Sequence, residues 1–260
     1  MKKLIAAAGL AALASSVPSL SAAQSAAATP AYTFTANANL VSEYRYRGIA
    51  QTNAKPAVQG GFDYTHAGGF YLGTWASNVS WLSDGGAGQV SNSLEWDFYG
   101  GFKQSVGDFG YDIGLLQYYY PGSYPSGFNS PNTLELYVAG SWKMLTLKYS
   151  HALTDVFGFT DSKNGNYTDL TGNFDIGYGT TLVAHAGYQY IPGTTGRSSS
   201  DCSYSDWKLG LAKEMIGLSW GLSYIDTNAK GDEGQCYRSA MPYNRDLGKG
   251  TVVLSVGKTF

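Results

Sequence analysis

The sequence predicts an all-β protein, a transmembrane antiparallel up-and-down β-barrel of about twelve strands with short periplasmic turns and long extracellular loops. Three observations predict it. The first is composition: the 260 residues include 14% charged and 15% aromatic residues and 34 Gly, where a soluble domain carries about 25% charged residues. The second is an apolar/polar alternation with a period of two, as expected of strands with one face in water and the other out of it. The third is that tight and long connections alternate along the chain. The aromatic content excludes a disordered chain, and a formal net charge of −2 provides no basic excess for binding nucleic acid.

The chain opens with Lys2 and Lys3, an apolar run from Leu4 to Ala14 and small residues through Ala28, the three regions of a secretory leader. Cleavage after Ala23 puts Ser21 and Ala23 at the two positions that require small side chains, and cleavage after Ala28, with Ala26 and Ala28, competes with it. The expected division is a cleaved leader over 1–23, a short periplasmic segment over 24–31 and the barrel over 32–260. Removal of Lys2 and Lys3 takes the net charge to −4. Neither cut has a Cys beside it, which argues against a lipoprotein. No later stretch approaches the ~20 consecutive apolar residues of a spanning helix, so a membrane crossing is made by strands.

Over 32–47 the even positions Tyr32, Phe34, Ala36, Ala38, Leu40, Ser42, Tyr44 and Tyr46, nearly all apolar, oppose the odd positions Thr33, Thr35, Asn37, Asn39, Val41, Glu43, Arg45 and Arg47, nearly all polar, which predicts one long first strand. The second repeats the pattern, with Val58, Phe62 and Tyr64 against Gln59, Asp63 and Thr65, and 70–79 follows it. The fourth sets Leu94, Trp96, Phe98 and Phe102 against Glu95, Asp97, Tyr99 and Lys103. The remaining strands are expected over 109–120, 133–142, 145–153, 170–177, 181–190, 204–213, 218–226 and 251–260. The connections 66–69, 105–108, 143–144, 178–180 and 214–217 are tight, whereas 48–55, 80–92, 121–132, 154–169, 191–203 and 227–250 are long and rich in Gly, Ser, Asn, Asp or Pro.

A soluble β-sandwich or lipocalin-like barrel shares the alternation but buries its apolar face. Two features favour the membrane. Aromatics gather near strand ends, at Tyr44, Tyr46, Trp75, Tyr118 to Tyr120, Tyr188, Tyr190 and Trp207, as in interfacial girdles. The last strand places Val252, Leu254, Val256, Lys258 and Phe260 on one face, resembling the C-terminal signal read by the outer-membrane barrel assembly machinery. Lys258 interrupts that face close to the interface, where its ammonium can snorkel to water.

The polar face carries the candidate pore residues Glu43, Arg45, Arg47, Asp63, Glu95, Asp97, Lys103, Asp112, Glu135, Lys148, Asp175, His185 and Lys208. Lumen charges can set selectivity. Arg45 and Arg47, two residues apart, either point at a passing anionic or hydroxylated solute or pair with Glu43, Asp63 and neighbouring carboxylates to fill a narrow interior. Cys202 and Cys236, in two long loops on the oxidising side, are expected to form a disulfide over the mouth. Catalytic and metal signatures are absent: the histidines are His66, His151 and His185, with no H-E-x-x-H and no G-x-S-x-G. Ser150 and His151, adjacent on a strand, point to opposite faces and make a poor lipid-hydrolase pair.

The stretch from Leu40 to Tyr64, with S-E-Y-R-Y-R-G over Ser42 to Gly48 and P-A-V-Q-G-G-F-D-Y over Pro56 to Tyr64, followed by G-F-Y-L-G-T-W-A-S-N-V over Gly69 to Val79, resembles the TorF-type family of outer-membrane porins, catalogued as proteobacterial proteins of unknown function. The resemblance is strongest over the first quarter of the mature chain. It implies an outer-membrane barrel with a transport role and singles out Glu43, Arg45, Arg47, Gln59 and Asp63. The resulting expectation is a monomeric or weakly oligomeric, non-enzymatic, cofactor-free channel in a Gram-negative outer membrane. It would sit among lipid and lipopolysaccharide and pass small hydrophilic solutes passively. The alternatives are a closed structural barrel whose loops contact a partner, and a lipid-acting barrel enzyme.

Overall fold

Stretches rich in Tyr, Val, Phe and Thr suit a pleated surface, and in the computed structural model they form the wall of one closed barrel. The structure describes residues 31–86, 88–193 and 202–260. The expected leader over 1–23, all but Ala31 of the segment over 24–31, and part of the 191–203 loop lie outside the described residues.

Tyr32–Val41 (β1) is followed by two short segments, Arg45–Tyr46 (β2) and Ile49–Ala50 (β3), and then by Ala57–His66 (β4) and Phe70–Asn78 (β5). A short helix, Trp81–Gly85 (α1), and Ser91–Asn92 (β6) precede the hairpin of Leu94–Val106 (β7) and Phe109–Tyr119 (β8). Gly122–Ser123 (β9) pairs with β6, and Thr133–Trp142 (β10), Leu145–Ala152 (β11) and Asn166–Asp175 (β12) resume the wall. Thr180–Tyr190 (β13), Tyr204–Met215 (β14), Leu218–Thr227 (β15) and Thr251–Thr259 (β16) complete it. Twelve of these strands pair in sequence order, each antiparallel to its neighbours, and β16 pairs with β1, so the wall has no free edge.

Burial runs opposite to that of a water-soluble barrel. On the outer face Phe34, Phe62 and Leu72 are 71%, 68% and 65% exposed, while on the inner face Glu95 and Glu135 are 1% and 2% exposed. Lipid is the medium that an apolar outside and a polar inside fit. The register explains how tyrosines share the interior. Tyr71, Tyr99 and Tyr137 stand directly opposite Gly101, Gly73 and Gly114, and a Cβ at those glycines would lie 2.6, 2.3 and 2.5 Å from the facing phenol. The missing side chain lets each ring lie against the wall.

The first strand is shorter than expected. It ends at Val41, and 42–56 turns into the lumen instead of continuing the wall to Arg47. β2 and β3 pair there as a tight hairpin whose two central residues, Arg47 and Gly48, have positive φ of 46° and 79°, as a two-residue turn matched to strand twist requires. A hairpin that folds back keeps the parity of the strand before it, so alternation alone did not reveal the break. The girdle also divides. Tyr119, Tyr188, Tyr190 and Trp207 are exposed on the outside, but Tyr44, Trp75, Tyr118 and Tyr120 are buried and Tyr46 is half-buried in the interior. Phenols accept this because the ring buries apolar area while the hydroxyl finds a partner. Strand β12 begins four residues earlier than expected, at Asn166, and so brings Asp169 into the wall.

Candidate functional site

The inward hairpin organises the lumen. Its root is held at Ser42, whose N–H donates to the Leu254 carbonyl at 2.8 Å and whose hydroxyl accepts from the Leu254 N–H at 3.0 Å. Its arms are closed by the Gln51 N–H on the Tyr44 carbonyl at 2.9 Å and the Tyr44 N–H on Thr52 Oγ1 at 3.1 Å. The Ala50 N–H donates to the Leu247 carbonyl at 2.9 Å, which ties the hairpin to the loop after β15. At the tip, a Cβ on Gly48 would stand 2.3 Å from Thr227 Cγ2 and 2.8 Å from Asp206 Cβ. The turn thus abuts the wall at β14 and β15, and only a glycine fits there.

Both arginines are bound. Arg45 pairs with Glu43 at 3.0 Å and donates to the Gly48 and Leu247 carbonyls at 3.0 and 2.9 Å, while Glu43 also accepts from the Ala54 N–H at 2.9 Å. Arg47 makes a two-pronged pair with Glu135 on β10, at 3.0 and 2.8 Å, and donates to Gln189 Oε1 on β13 at 2.7 Å. Its guanidinium also lies 4.3 Å from the Tyr167 ring centroid and 4.8 Å from that of Tyr46. Burial is the largest single influence and works against the Arg47 charge, but the Glu135 carboxylate together with Tyr46 and Tyr118 outweighs it and lifts the guanidinium well above its ordinary range.

Most of the other inward carboxylates are met by phenols. Glu95 accepts from Tyr44 at 2.8 Å and from Tyr120 at 3.0 Å; Asp63 accepts from Tyr99 at 2.7 Å, Asp112 from Tyr71 at 2.6 Å, and Asp206 from Tyr167 at 2.8 Å. Burial, followed by the Glu95 charge, pushes the Tyr44 and Tyr120 hydroxyls well above the usual phenol range, so both remain donors. Short hydroxyl pairs join Tyr71 to Tyr137 and Tyr46 to Tyr118. His185 Nε2 lies 2.9 Å from the Tyr167 hydroxyl and 3.0 Å from Asp206, and its Nδ1 lies 2.8 Å from Thr171 Oγ1 and 3.8 Å from Asp169.

Among the described residues Lys103, Lys148 and Lys208 form no ion pair. The Lys103 and Lys148 ammoniums lie 4.9 and 4.2 Å from the ring centroids of Tyr71 and Tyr137. Asp97 is buried with an Oδ1 that has no partner. Gln59 donates to Ser77 at 3.3 Å.

The expected set thus divides by place. Glu43, Arg45, Arg47, Glu95 and Glu135 meet at and around the hairpin. Asp63, Lys103, Asp112 and Lys148 line the wall, and His185 belongs to a separate cluster. Asp175 does not join them; it is exposed at the end of β12, where it accepts from the Gly177 N–H at 2.8 Å in the turn. Cys202 and Cys236 are bonded across 5.5 Å between Cα atoms. The sequence reading missed Asp169, Asp206, Tyr167 and Gln189. Asp206 shares its parity with Lys208, which alone marked it as inward; Asp169 was assigned to a loop.

Two cavities, with no lining residue in common, flank the hairpin. One of about 80 Å³ is lined by Glu43, Arg45, Gln59 and Lys208 with Ser223 and Ser255 of the β15–β16 wall. The other, of about 110 Å³, lies on the long-loop side against Tyr46, Ile49, Ala50 and Gln51. Among the described residues no His, Cys, Asp and Glu group is arranged to hold a metal ion.

Comparison with known structures finds the same barrel. A structure described as KdgM porin matches with a TM-score of 0.51 at 9% identity, over 87% of this chain and 98% of that one. A structure of NanC porin matches with a TM-score of 0.51 at 10% identity, again over 87% and 98%. KdgM porin in complex with disordered oligogalacturonate matches with a TM-score of 0.50 at 9% identity, over 88% and 98%. At these identities the likeness is one of fold. No curated protein matches in sequence. The family model described as a bacterial protein of unknown function (Gcw_chp) matches residues 25–260.

Proposed function

The chain belongs to the bacterial Gcw_chp family of unknown function, and from that premise we propose that it is an outer-membrane channel for passive diffusion of small hydrophilic solutes, with the 42–56 hairpin as its constriction. The observation that carries this reading is the hairpin itself, a polar segment folded into a polar lumen, rooted on β16 through Ser42 and fastened at its tip by the side-chain bonds of Arg47. Porins among the similar folds and the resemblance to TorF-type porins support it. The long loops, with the disulfide, face the exterior, and the tight turns face the periplasm. The exposed C-terminal Phe260 serves recognition by the assembly machinery, and lipid and lipopolysaccharide cover the outer face.

A twelve-stranded barrel is narrower than a sixteen-stranded porin and the hairpin narrows it further, so the solutes are small, and transport needs no chemistry. The inward carboxylates Glu43, Asp63, Glu95, Asp97, Asp112, Glu135, Asp169 and Asp206 outnumber Arg45, Arg47, Lys103, Lys148 and Lys208, which favours cations. The competing reading, a closed barrel, draws on the near-complete burial of Glu95 and Glu135 beside the hairpin. Planar-bilayer recording separates the two. A channel gives small, cation-preferring conductance steps that grow when 45–50 is replaced by a Gly/Ser linker. Silence of both proteins at every voltage overturns the channel, and silence of the native chain with conduction by the variant assigns the barrel as closed.

A further inference from the structure

The smaller cavity beside the hairpin holds charge and hydrogen-bonding capacity that the pairs described above do not use. Four of its polar side chains are engaged. Glu43 accepts from Arg45 and from the Ala54 N–H, Arg45 also donates to the Gly48 and Leu247 carbonyls, the Tyr44 hydroxyl donates to Glu95, and the Gln59 amide donates to Ser77. The other three are not. Among the described residues Lys208, Ser223 and Ser255 have no side-chain hydrogen bond or ion pair; all three are half-buried, and none of their polar atoms is closed to water. They descend the wall in steps. Ser223 on β15 stands opposite Gly210, two residues beyond Lys208 on the same face of β14, and Ser255 on β16 stands opposite Gly221, two residues nearer than Ser223 to the turn between β14 and β15. A Cβ on Gly210 or Gly221 would lie 2.2 or 2.5 Å from the facing serine oxygen, so the glycines make room for both hydroxyls. Lys208 has no carboxylate against it: Glu43 is neutralised by Arg45, and Asp206, on the same face of β14, is bonded by Tyr167 and His185. The rest of the lining is apolar, Val41, Val183, Ala212 and Val253 included.

We propose that this cavity binds a small aliphatic carboxylate, with Lys208 as its counter-charge, the Ser223 and Ser255 hydroxyls as further donors and the valines against its chain. An ammonium that looks into a largely apolar cavity is stabilised by an anion, and hydrogen bonds between charged groups are the strong ones. One unpaired cation suits a monoanion, whereas a phosphate dianion would lack a second counter-charge. The volume of about 80 Å³ is roughly half that of an apolar cavity that holds benzene, which sizes the occupant at about four or five non-hydrogen atoms. Ligand pockets are typically apolar with a few placed polar groups, and the valines favour an anion with a hydrocarbon part over a bare inorganic one. The carboxylate excess of the lumen acts on every ion that enters, while occupancy here answers to the one cation within reach.

The test is ligand-observed NMR titration of sodium propionate with the purified full chain in detergent, against empty micelles. Propionamide, the uncharged isostere, and formate, which lacks the chain, are run beside it. Propionate gives saturable line broadening beyond that of micelles. Propionamide binds about tenfold more weakly for want of the charge, and formate about tenfold more weakly for want of two carbons. Lys208→Met, which keeps an unbranched stem and removes the ammonium, weakens propionate about tenfold, with circular dichroism confirming that the variant retains the barrel. Broadening that matches empty micelles, propionamide or formate binding as tightly as propionate, or unchanged affinity in Lys208→Met overturns the proposal. The two comparison solutes need no variant, so a misfolded Lys208→Met leaves the test intact. Binding in detergent does not depend on conduction, so failure here and silence in a bilayer are separate results.

Discussion

Arg47 carries the most consequence per residue. It occupies a positive-φ conformation that a bulky residue adopts at a cost on the order of 1–3 kcal/mol, and the two bonds to Glu135, the bond to Gln189 and the Tyr167 ring offset that cost. Arg47→Ala leaves Glu135 buried without its counter-charge, a loss of about 3–5 kcal/mol. The barrel wall keeps its pairing, so the hairpin is the part expected to yield. Single-channel conductance should rise in Arg47→Ala, and less in Glu135→Gln, which retains an acceptor for the guanidinium. Unchanged conductance in both would remove Arg47 as the latch. That Arg45 and Arg47 matter was legible from Y-R-Y-R-G, and so was Glu43 as the partner of Arg45; the partners of Arg47 were not, because Glu135 is 88 residues and Gln189 142 residues away from it.

At the scale of elements, the wall strands and the loops obey different rules. Alternation specifies a strand because a slip of one residue turns every side chain to the wrong face, and the expected and observed strands agree in number and order. Loops carry no such period of their own, and 42–47 was read as strand because it keeps the alternation of β1 while 48–55 was read as loop. The Cys202–Cys236 bond spans a sequence separation of 34 residues, for which loop-closure entropy suggests about 3–4 kcal/mol of constraint. Cys202→Ser with Cys236→Ser should therefore loosen the two loops without opening the wall. Limited proteolysis should cut the double variant within 228–250 while the strands resist; an unchanged digestion pattern would show that packing around Tyr204 and Tyr237 holds the loops by itself.

The whole molecule is a surface of two kinds. Leu209, 56% exposed near the middle of β14, faces the lipid side, and Leu209→Arg should cost about 2–4 kcal/mol if that surface lies in a bilayer. Urea unfolding from lipid vesicles measures it. An arginine tolerated there at no cost would mean that the outer face is not in hydrocarbon. Inside, the wall depends on tyrosines paired with glycines, a relation between strands that composition registers only as many Tyr and many Gly.

The sequence by itself determined the twelve-stranded antiparallel barrel, the inward or outward sense of the alternating positions in β1, β4 and β7, and the pairing of its two cysteines. Each of these follows from a local period, the order of connections or an inventory of two. The tertiary structure alone decided that 42–56 enters the lumen, that phenols rather than lysines meet Asp63, Glu95, Asp112 and Asp206, and that a ring-lined cavity stands beside the hairpin. These depend on contacts between residues tens to hundreds of positions apart, and no local pattern encodes which polar group will meet which once the barrel has closed.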